Sequence, residues 1–595
     1  MSNFLKLLTA SCLGTLLALG VLVFVGVVSV SSIAARFERA AVDVEANSVL
    51  VIAPRVLPEL RDNTQDAPLS LDDDHVYGLR DLTRALALAA EDDDIKGAYL
   101  DVDAAVLGPA SAATLREAVV RFRESGKFVV AHALNYGQGG YFLASAADAV
   151  YLNPTGGVDL RGYGVTAPFF TGALEKLGVE MNVFYAGDFK SAGEPFFRES
   201  LSDSNRLQTR IYLEDLWRLY TEAVAPDRGM SPERLRGLAY GFEVRTDSAA
   251  LAAGLVDGLY YEDEVLDDLR ARIGLDADEP VRTVKLDEYA ARLKPVNLRS
   301  DDRIAVVFAE GNITDGAEAP GLISGEAYAD LLREIRRDDE VRAIVLRINS
   351  GGGSAMASEN IWREVRLARE AGIPVVASMG DVAASGGYYI AVATDSIFAR
   401  ANTITGSIGV IGLLPNVSTL MEDRLGITFD TVNTGRYSNA FSPVIPLESD
   451  EEAIIQESID RIYRHFVSRV AEGRDMSVGE VRRLAKGRVY TGEDALALGL
   501  VDRLGGLDDA IAAAARMADL DLDGARISEY PKVATPLEEI VARLSGQDDD
   551  EDDIRVLTRA LRHGGYPELG VLGESYQLIR VKGPQMIWTD QVIPR

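Results

Sequence analysis

Short β-branched runs recur along this chain, and most are followed by a longer stretch with apolar residues at helical spacing. Ser48-Val49-Leu50-Val51-Ile52 is the first such run. Ile304-Ala305-Val306-Val307-Phe308, Ala343-Ile344-Val345-Leu346-Arg347-Ile348 and Ile373-Pro374-Val375-Val376-Ala377-Ser378 follow the same pattern and read as buried strands. Residues 327–337 and 358–370 read as helices. This alternation predicts α/β units around a mainly parallel sheet. One stretch differs: no charge falls between Lys6 and Arg36, and Leu, Val, Ala and Gly dominate it. It is long enough to span a bilayer and longer than the ~7–15 apolar residues of a cleaved signal core. Residues 1–36 are therefore expected to be an uncleaved transmembrane anchor, contacting lipid through residues 7–35. Lys6 and the amino terminus stand against Arg36 and Arg39, so charge leaves the orientation open.

The pattern also repeats. Asp94-Ile95-Lys96-Gly97-Ala98-Tyr99-Leu100 matches Glu340-Val341-Arg342-Ala343-Ile344-Val345-Leu346, and Lys127-Phe128-Val129-Val130-Ala131 matches residues 373–377. Gly139-Gly140-Tyr141 matches Gly386-Gly387-Tyr388, Leu177-Gly178-Val179 matches Leu425-Gly426-Ile427, and residues 253–257 match Leu498-Gly499-Leu500-Val501-Asp502. The offset stays between 245 and 248 residues throughout. A constant offset of this size marks a tandem domain duplication and not a short-period solenoid. The expected domains are residues 49–298 and 302–530, followed by an acidic tail over 531–595 in which residues 547–553 read as a solvated loop.

Composition narrows the classes. A chain of 595 residues suggests several domains. A formal net charge of -31 argues against a nucleic-acid partner. The single cysteine, Cys12, excludes an intrachain disulfide, and the four histidines (His75, His132, His465 and His563) form no metal-ligand pair in sequence. No metal or cofactor is implied.

Candidate chemistry gathers at Met379-Gly380-Asp381-Val382-Ala383-Ala384-Ser385-Gly386-Gly387-Tyr388-Tyr389. Ser385 falls at a strand-to-helix turn, where a hydroxyl is exposed and a helix N-terminus favours negative charge; the alternative is tight packing of a helix on a sheet. Overlaying the halves puts Gln138 opposite Ser385, and Ser438 opposite Lys190 within Ala186-Gly187-Asp188-Phe189-Lys190-Ser191. Each half thus has one candidate group and lacks the other, which suggests one composite site. A serine needs an adjacent base, and no histidine lies in a suitable motif. A lysine serves if its pKa falls by about three units from ~10.4, at roughly 4 kcal/mol. Phe189, Pro195, Phe196 and Phe197 could wall it in, with Asp188 and Glu194 opposing unless turned away. Asn349-Ser350-Gly351-Gly352-Gly353-Ser354, at a strand end, could hold a phosphate or an oxyanion. A phosphate loop lacks its Gly-Lys-Ser/Thr ending here, so an oxyanion hole fits better.

The Asn-Ser-Gly-Gly-Gly run, the Met-Gly-Asp-x-Ala-Ala-Ser-Gly-Gly-Tyr run and Thr405-Gly406-Ser407-Ile408-Gly409 together resemble the signal peptide peptidase A family, in the long tandem form also called protease IV. The resemblance covers about residues 40 to 530. It implies two tandem ClpP/crotonase-like α/β domains and a Ser–Lys dyad with Ser385 as nucleophile and Lys190 as general base. It further implies oxyanion donors at the backbone N–H of Gly352 and Gly386, and Ser407 orienting the lysine amine. Ser407 is also the rival nucleophile. The family is similar in being a bacterial inner-membrane, periplasm-facing homotetramer that degrades hydrophobic signal-peptide remnants. A crotonase-like acyl-CoA enzyme and a catalytically inactive membrane scaffold are the competing readings.

Overall fold

The computed structural model describes residues 44–532, apart from residues 56, 60–76, 104, 294–299, 301, 317, 318 and 320, together with the backbone of residues 585–587. The expected anchor over residues 1–36 and the acidic run at 547–553 lie outside the described residues. Among the described residues, no helix is long and apolar enough to cross a membrane.

Two mainly parallel sheets form the cores, the second with one antiparallel edge strand, Val489–Thr491. The first has six strands in the spatial order Gly258–Leu259, Ala149–Val158, Phe128–Tyr136, Ile95–Asp101, Ser48–Ile52 and Thr283–Lys285. The second runs Val489–Thr491, Ile404–Gly406, Val375–Ala384, Val341–Ser350, Arg303–Glu310 and Arg526–Tyr530, with Ser396–Ala399 also paired to the third of these. Central strands are covered on both faces, and Ile344, Val345 and Leu346 are all fully buried. Double coverage is why these strands are continuously apolar and do not alternate. The surrounding helices bury one stripe each. Gly325–Arg337 buries Tyr328, Ala329, Leu332 and Ile335, and its N-cap Ser324 accepts a hydrogen bond from Ala327 N–H.

The duplication extends to register and to individual hydrogen bonds. Ala98 pairs with Val129 and Val130 with Ala149; Ile344 pairs with Val375 and Val376 with Ser396. Asp257 accepts from Val150 N–H and is paired to Arg228, while Tyr141 Oη donates to the Leu255 carbonyl. Asp502, Ile397, Arg474, Tyr388 and Leu500 make the same set in the second repeat.

Three features lock the repeats together and position the site. The strand Glu180–Ala186 leaves the first sheet and pairs antiparallel with Val410–Asn416, from Ala186 opposite Val410 to Glu180 opposite Asn416. The helix Asp203–Asp227 sets Tyr212 and Leu216 against Ile404 and Val489 of the second sheet. The Asp381 carboxylate caps the helix Pro109–Glu124 of the other repeat, accepting from Ala110 N–H (2.7 Å), Ser111 N–H (3.0 Å) and Ser111 Oγ (2.5 Å). That helix has no side-chain cap of its own. A buried bidentate pair, Arg347 with Glu59, adds a fourth tie.

Candidate active site

Ser385 stands between the strand Val375–Ala384 and the helix Gly386–Ala391, with φ 55° and ψ −116°. A non-glycine residue there is strained by about 1–3 kcal/mol. The surroundings enforce it: Ser385 N–H donates to the Gly406 carbonyl (2.8 Å), and its carbonyl accepts from Tyr389 N–H (2.9 Å). The helix after the turn begins immediately after the serine and spans six residues. Gly386-Gly387 can therefore enter its first turn, because the glycine loop leaves no room for side chains. A Cβ on Gly386 would lie 3.2 Å from Gly352 Cα and 3.2 Å from Gly353 N; one on Gly387 would lie 2.5 Å from the Ser350 carbonyl oxygen.

Lys190 reaches this corner because the crossing strand ends at Ala186, directly before its loop. Its Nζ lies 2.8 Å from Ser385 Oγ, 2.9 Å from Ser407 Oγ and 3.2 Å from the Ser407 carbonyl oxygen. The lysine is 5% exposed and Ser385 0%. Burial pulls the lysine pKa down to about 7, since desolvation penalises the ammonium. Both nearby acids are turned away. Asp188 is exposed and faces Lys486, while the Glu194 carboxylate accepts from Ser202 N–H, Ser202 Oγ and Asn205 Nδ2. Of the phenylalanines near it in sequence, Phe196 stacks with Phe170, Phe197 with Tyr185, and Phe189 lies under the Arg488 guanidinium. The hydrogen bonds of the amine go to the two serines.

The sequence reading missed what holds this loop. Gln208 Nε2 donates to the Phe189 carbonyl and to Ser191 Oγ, while its Oε1 accepts from Val489 N–H. Phe189 N–H donates to the Lys486 carbonyl, Gly487 N–H to Ile408, and Ser407 N–H to Arg488. Residues 486–488 thus clamp the lysine loop and Ser407 at once. A Cβ on Gly487 (φ 79°) would stand 2.5 Å from Lys190 N. The positive φ of Gly487 leaves no mark in a sequence beyond the glycine itself.

Of the expected oxyanion donors, Gly386 opens its helix, so its N–H has no intrahelical acceptor. Gly352 (φ 103°) borders it, but its N–H is donated to Ser350 Oγ at 3.1 Å. The strand Gly352–Ser354 also pairs antiparallel with residues 585–587, which sit between it and Ile411. No motif in the last forty residues suggested that pairing. Ser438, opposite Lys190 in the repeat, lies in an exposed segment. Among the described residues no cluster of His, Cys, Asp and Glu could hold a metal ion.

Peptidase family S49 matches residues 121–276 and again residues 367–521. The chain belongs to that family. Protease 4 of Salmonella typhi is 38% identical over 451 residues, which is 74% of this chain and 72% of that protein. Protease 4 of Haemophilus influenzae is 35% identical, covering 79% of this chain and 78% of its own length. The chloroplastic serine protease SPPA of Arabidopsis thaliana is 33% identical, with 78% and 69% covered. The S49 chain described here is an α/β serine peptidase with two family repeats.

Proposed function

We propose that this S49 peptidase works through a Ser–Lys dyad assembled across its two ClpP/crotonase-like repeats. The observation that carries this reading is the buried Lys190 amine, 2.8 Å from Ser385 Oγ with no acid beside it. A neutral amine has two N–H donors and one lone pair. Ser407 Oγ and the Ser407 carbonyl accept the two donors, which leaves the lone pair for the Ser385 hydroxyl. Ser407 is thereby the orienting group and not the nucleophile.

Ser385 Oγ attacks the peptide carbonyl carbon while its proton passes to Lys190 Nζ. The N–H groups at Gly386 and the Gly352 loop hold the tetrahedral oxyanion; Gly352 turns its N–H from Ser350 Oγ toward it. Lys190 then protonates the departing amine nitrogen as the C–N bond breaks, leaving an ester on Ser385. Water gives a proton to Lys190 and attacks that ester. Its collapse frees the acid, and the proton returns to Ser385. One missing oxyanion donor typically costs about 10²–10³ in rate.

An extended substrate is supported by the strand Gly352–Ser354, whose edge becomes open when residues 585–587 leave it. An extended strand fits there by backbone pairing, as residues 585–587 do. Hydrophobic signal-peptide remnants are the substrate that the family resemblance implies. With them go anchoring in the bacterial inner membrane through residues 7–35, a periplasmic face and a homotetramer, which rest on the uncharged run and the family resemblance. The acyl-CoA and scaffold readings are disfavoured by S49 membership and by the intact pairing of serine with lysine.

A fluorophosphonate probe tests the dyad. Labelling and peptide hydrolysis are expected in the parent and in Ser407→Ala at reduced rate, and neither in Ser385→Ala or Lys190→Ala. Labelling that survives in Ser385→Ala and vanishes in Ser407→Ala would overturn the assignment.

A further inference from the structure

A polar cluster lies behind the proposed dyad, and the chemistry above does not use it. Glu59 of the first repeat meets Arg347, Glu310 and Asn349 where the strands Arg303–Glu310 and Val341–Ser350 end. Arg347 is fully engaged: besides its bidentate pair with Glu59, it donates to Ser378 Oγ (3.0 Å) and to the Met379 carbonyl (2.8 Å). The Glu310 carboxylate instead accepts two N–H groups, the Glu59 backbone N–H (3.0 Å) and Asn349 Nδ2 (3.4 Å). Burial and the neighbouring Glu59 raise that carboxyl to about 7, while both N–H bonds pull it down because they favour the ionised form.

Asn349 stands where the nucleophile strand and the glycine loop touch. Ile348 pairs with Met379 and Ser350 with Ala383, so Asn349 alone lies opposite Gly380, Asp381 and Val382. This is a β-bulge, and bulges re-aim the residues that follow them. Asn349 Oδ1 accepts from Val382 N–H (3.1 Å), closing the bulge just before Ser385. Along the chain, Asn349 runs into Ser350, whose Oγ accepts from Gly352 N–H. The bulge has no slack: a Cβ on Gly380 would fall 3.0 Å from Asn349 Cβ and 2.6 Å from Glu59 Oε1. Val382 N–H can only donate, so the Asn349 amide has one orientation, with Nδ2 towards Glu310. One side chain thus sets the nucleophile strand against the glycine loop, and Glu310 sets that side chain.

We propose that Asn349, oriented by Glu310, is a positioning residue for catalysis that holds Ser385 and the oxyanion loop in mutual register. It acts through the bulge and the loop and bonds neither Ser385 nor Lys190. The inference rests on the reading of Ser385 as nucleophile.

The test exchanges the two groups in the full chain. Asn349→Asp keeps an oxygen for Val382 N–H but sets a second oxygen against the Glu310 carboxylate. Its kcat for peptide hydrolysis should fall about a hundredfold, the cost of a displaced reacting group, with KM within about twofold of the parent. Glu310→Gln is nearly isosteric and keeps an acceptor for Glu59 N–H, but its own amide then faces Asn349 Nδ2. Its kcat should fall about tenfold. Combining Asn349→Asp with Glu310→Gln restores all three contacts with amide and carboxylate exchanged, so kcat should return to within about threefold of the parent. A group that only stabilised the fold would move the unfolding midpoint and leave the kcat of the folded enzyme alone. Parental kcat in both single variants, or a combination no more active than Asn349→Asp by itself, would overturn the proposal. Should Asn349→Asp not fold, Glu310→Gln decides: a lower kcat at unchanged KM supports the proposal and a parental kcat overturns it. Failure of the dyad looks different, as hydrolysis that survives Ser385→Ala in the otherwise unaltered chain.

Discussion

The two repeats turn the same corner in different ways. In the second, the strand passes into its helix through Ser385 at φ 55°; in the first, Gly137 makes the turn in ordinary extended backbone at φ −69°, ψ 159°. Of the two corners, only the one carrying the serine hydroxyl is strained. In the second repeat the helix Ala355–Glu370 is capped by its own Ser354, whereas its counterpart Pro109–Glu124 borrows Asp381. The first repeat has put its polar groups to structural use: Gln138 Oε1 accepts from Arg161 N–H and Gly162 N–H, and the helix end binds a strut. Its contribution to the proposed dyad is Lys190, in the loop after the strand that pairs with the other repeat. The two repeats share their packed scaffold and differ at this corner.

The sharpest way to break this comparison is to remove each half's contribution. Ser385→Ala and Lys190→Met should each lower kcat/KM by at least about a thousandfold. The double variant should fall no further, because the two groups act as a unit. Additive losses in a peptide-hydrolysis assay would contradict the composite site. Gly487→Ala comes next: its Cβ would press on the Lys190 backbone, and misplacement on that scale costs about a hundredfold. Near-normal activity in that variant would mean the clamp is dispensable.

Acidity separates the halves more finely. The amine must be neutral to take a proton, so kcat/KM should rise with pH through about 7. Lys190 also shapes stability. Its folded pKa lies below its unfolded value, so the unfolded chain binds more protons between about pH 7 and 10.5, and stability should climb across that window. Glu310 acts in the opposite direction. Burial and the nearby Glu59 raise its carboxyl to about 7 from 4.5, so its stabilising contribution, full below 4.5, is lost as pH rises through 7. Chemical denaturation across pH should show Lys190→Met losing the rising limb and Glu310→Gln the falling one. Asp381→Ala should lower the unfolding midpoint by several degrees through the uncapped helix, with calorimetry as the readout. The smallest effect is expected from Gln138→Ser placed in the Ser385→Ala background. With no amine at that corner, fluorophosphonate labelling should stay absent, and any recovery would mean the first cleft kept more chemistry than its side chains indicate.

Much of this was legible because it is periodic or local. Buried parallel strands write themselves as apolar runs, the duplication shows as a constant offset, and Ser385 announces itself between small residues at a strand end. Opposing Gln138 to Ser385 and Lys190 to Ser438 even pointed to a site shared between halves. The structure changed the account of how the lysine is tuned. The amine is buried and bonded to Ser385 and Ser407, with Asp188 and Glu194 engaged by other partners.

The residues of one chain thus specified two α/β repeats and pointed to a candidate pair, since hydrophobic period and residue type act over a few positions. That Lys190 lies within hydrogen-bonding reach of Ser385, 195 positions away in the chain, came from a strand changing sheets, a helix docking on the far repeat and the 486–488 clamp. So did the pairing of residues 585–587 with the strand Gly352–Ser354. Those depend on which surfaces meet, and packing between distant segments has no period to read.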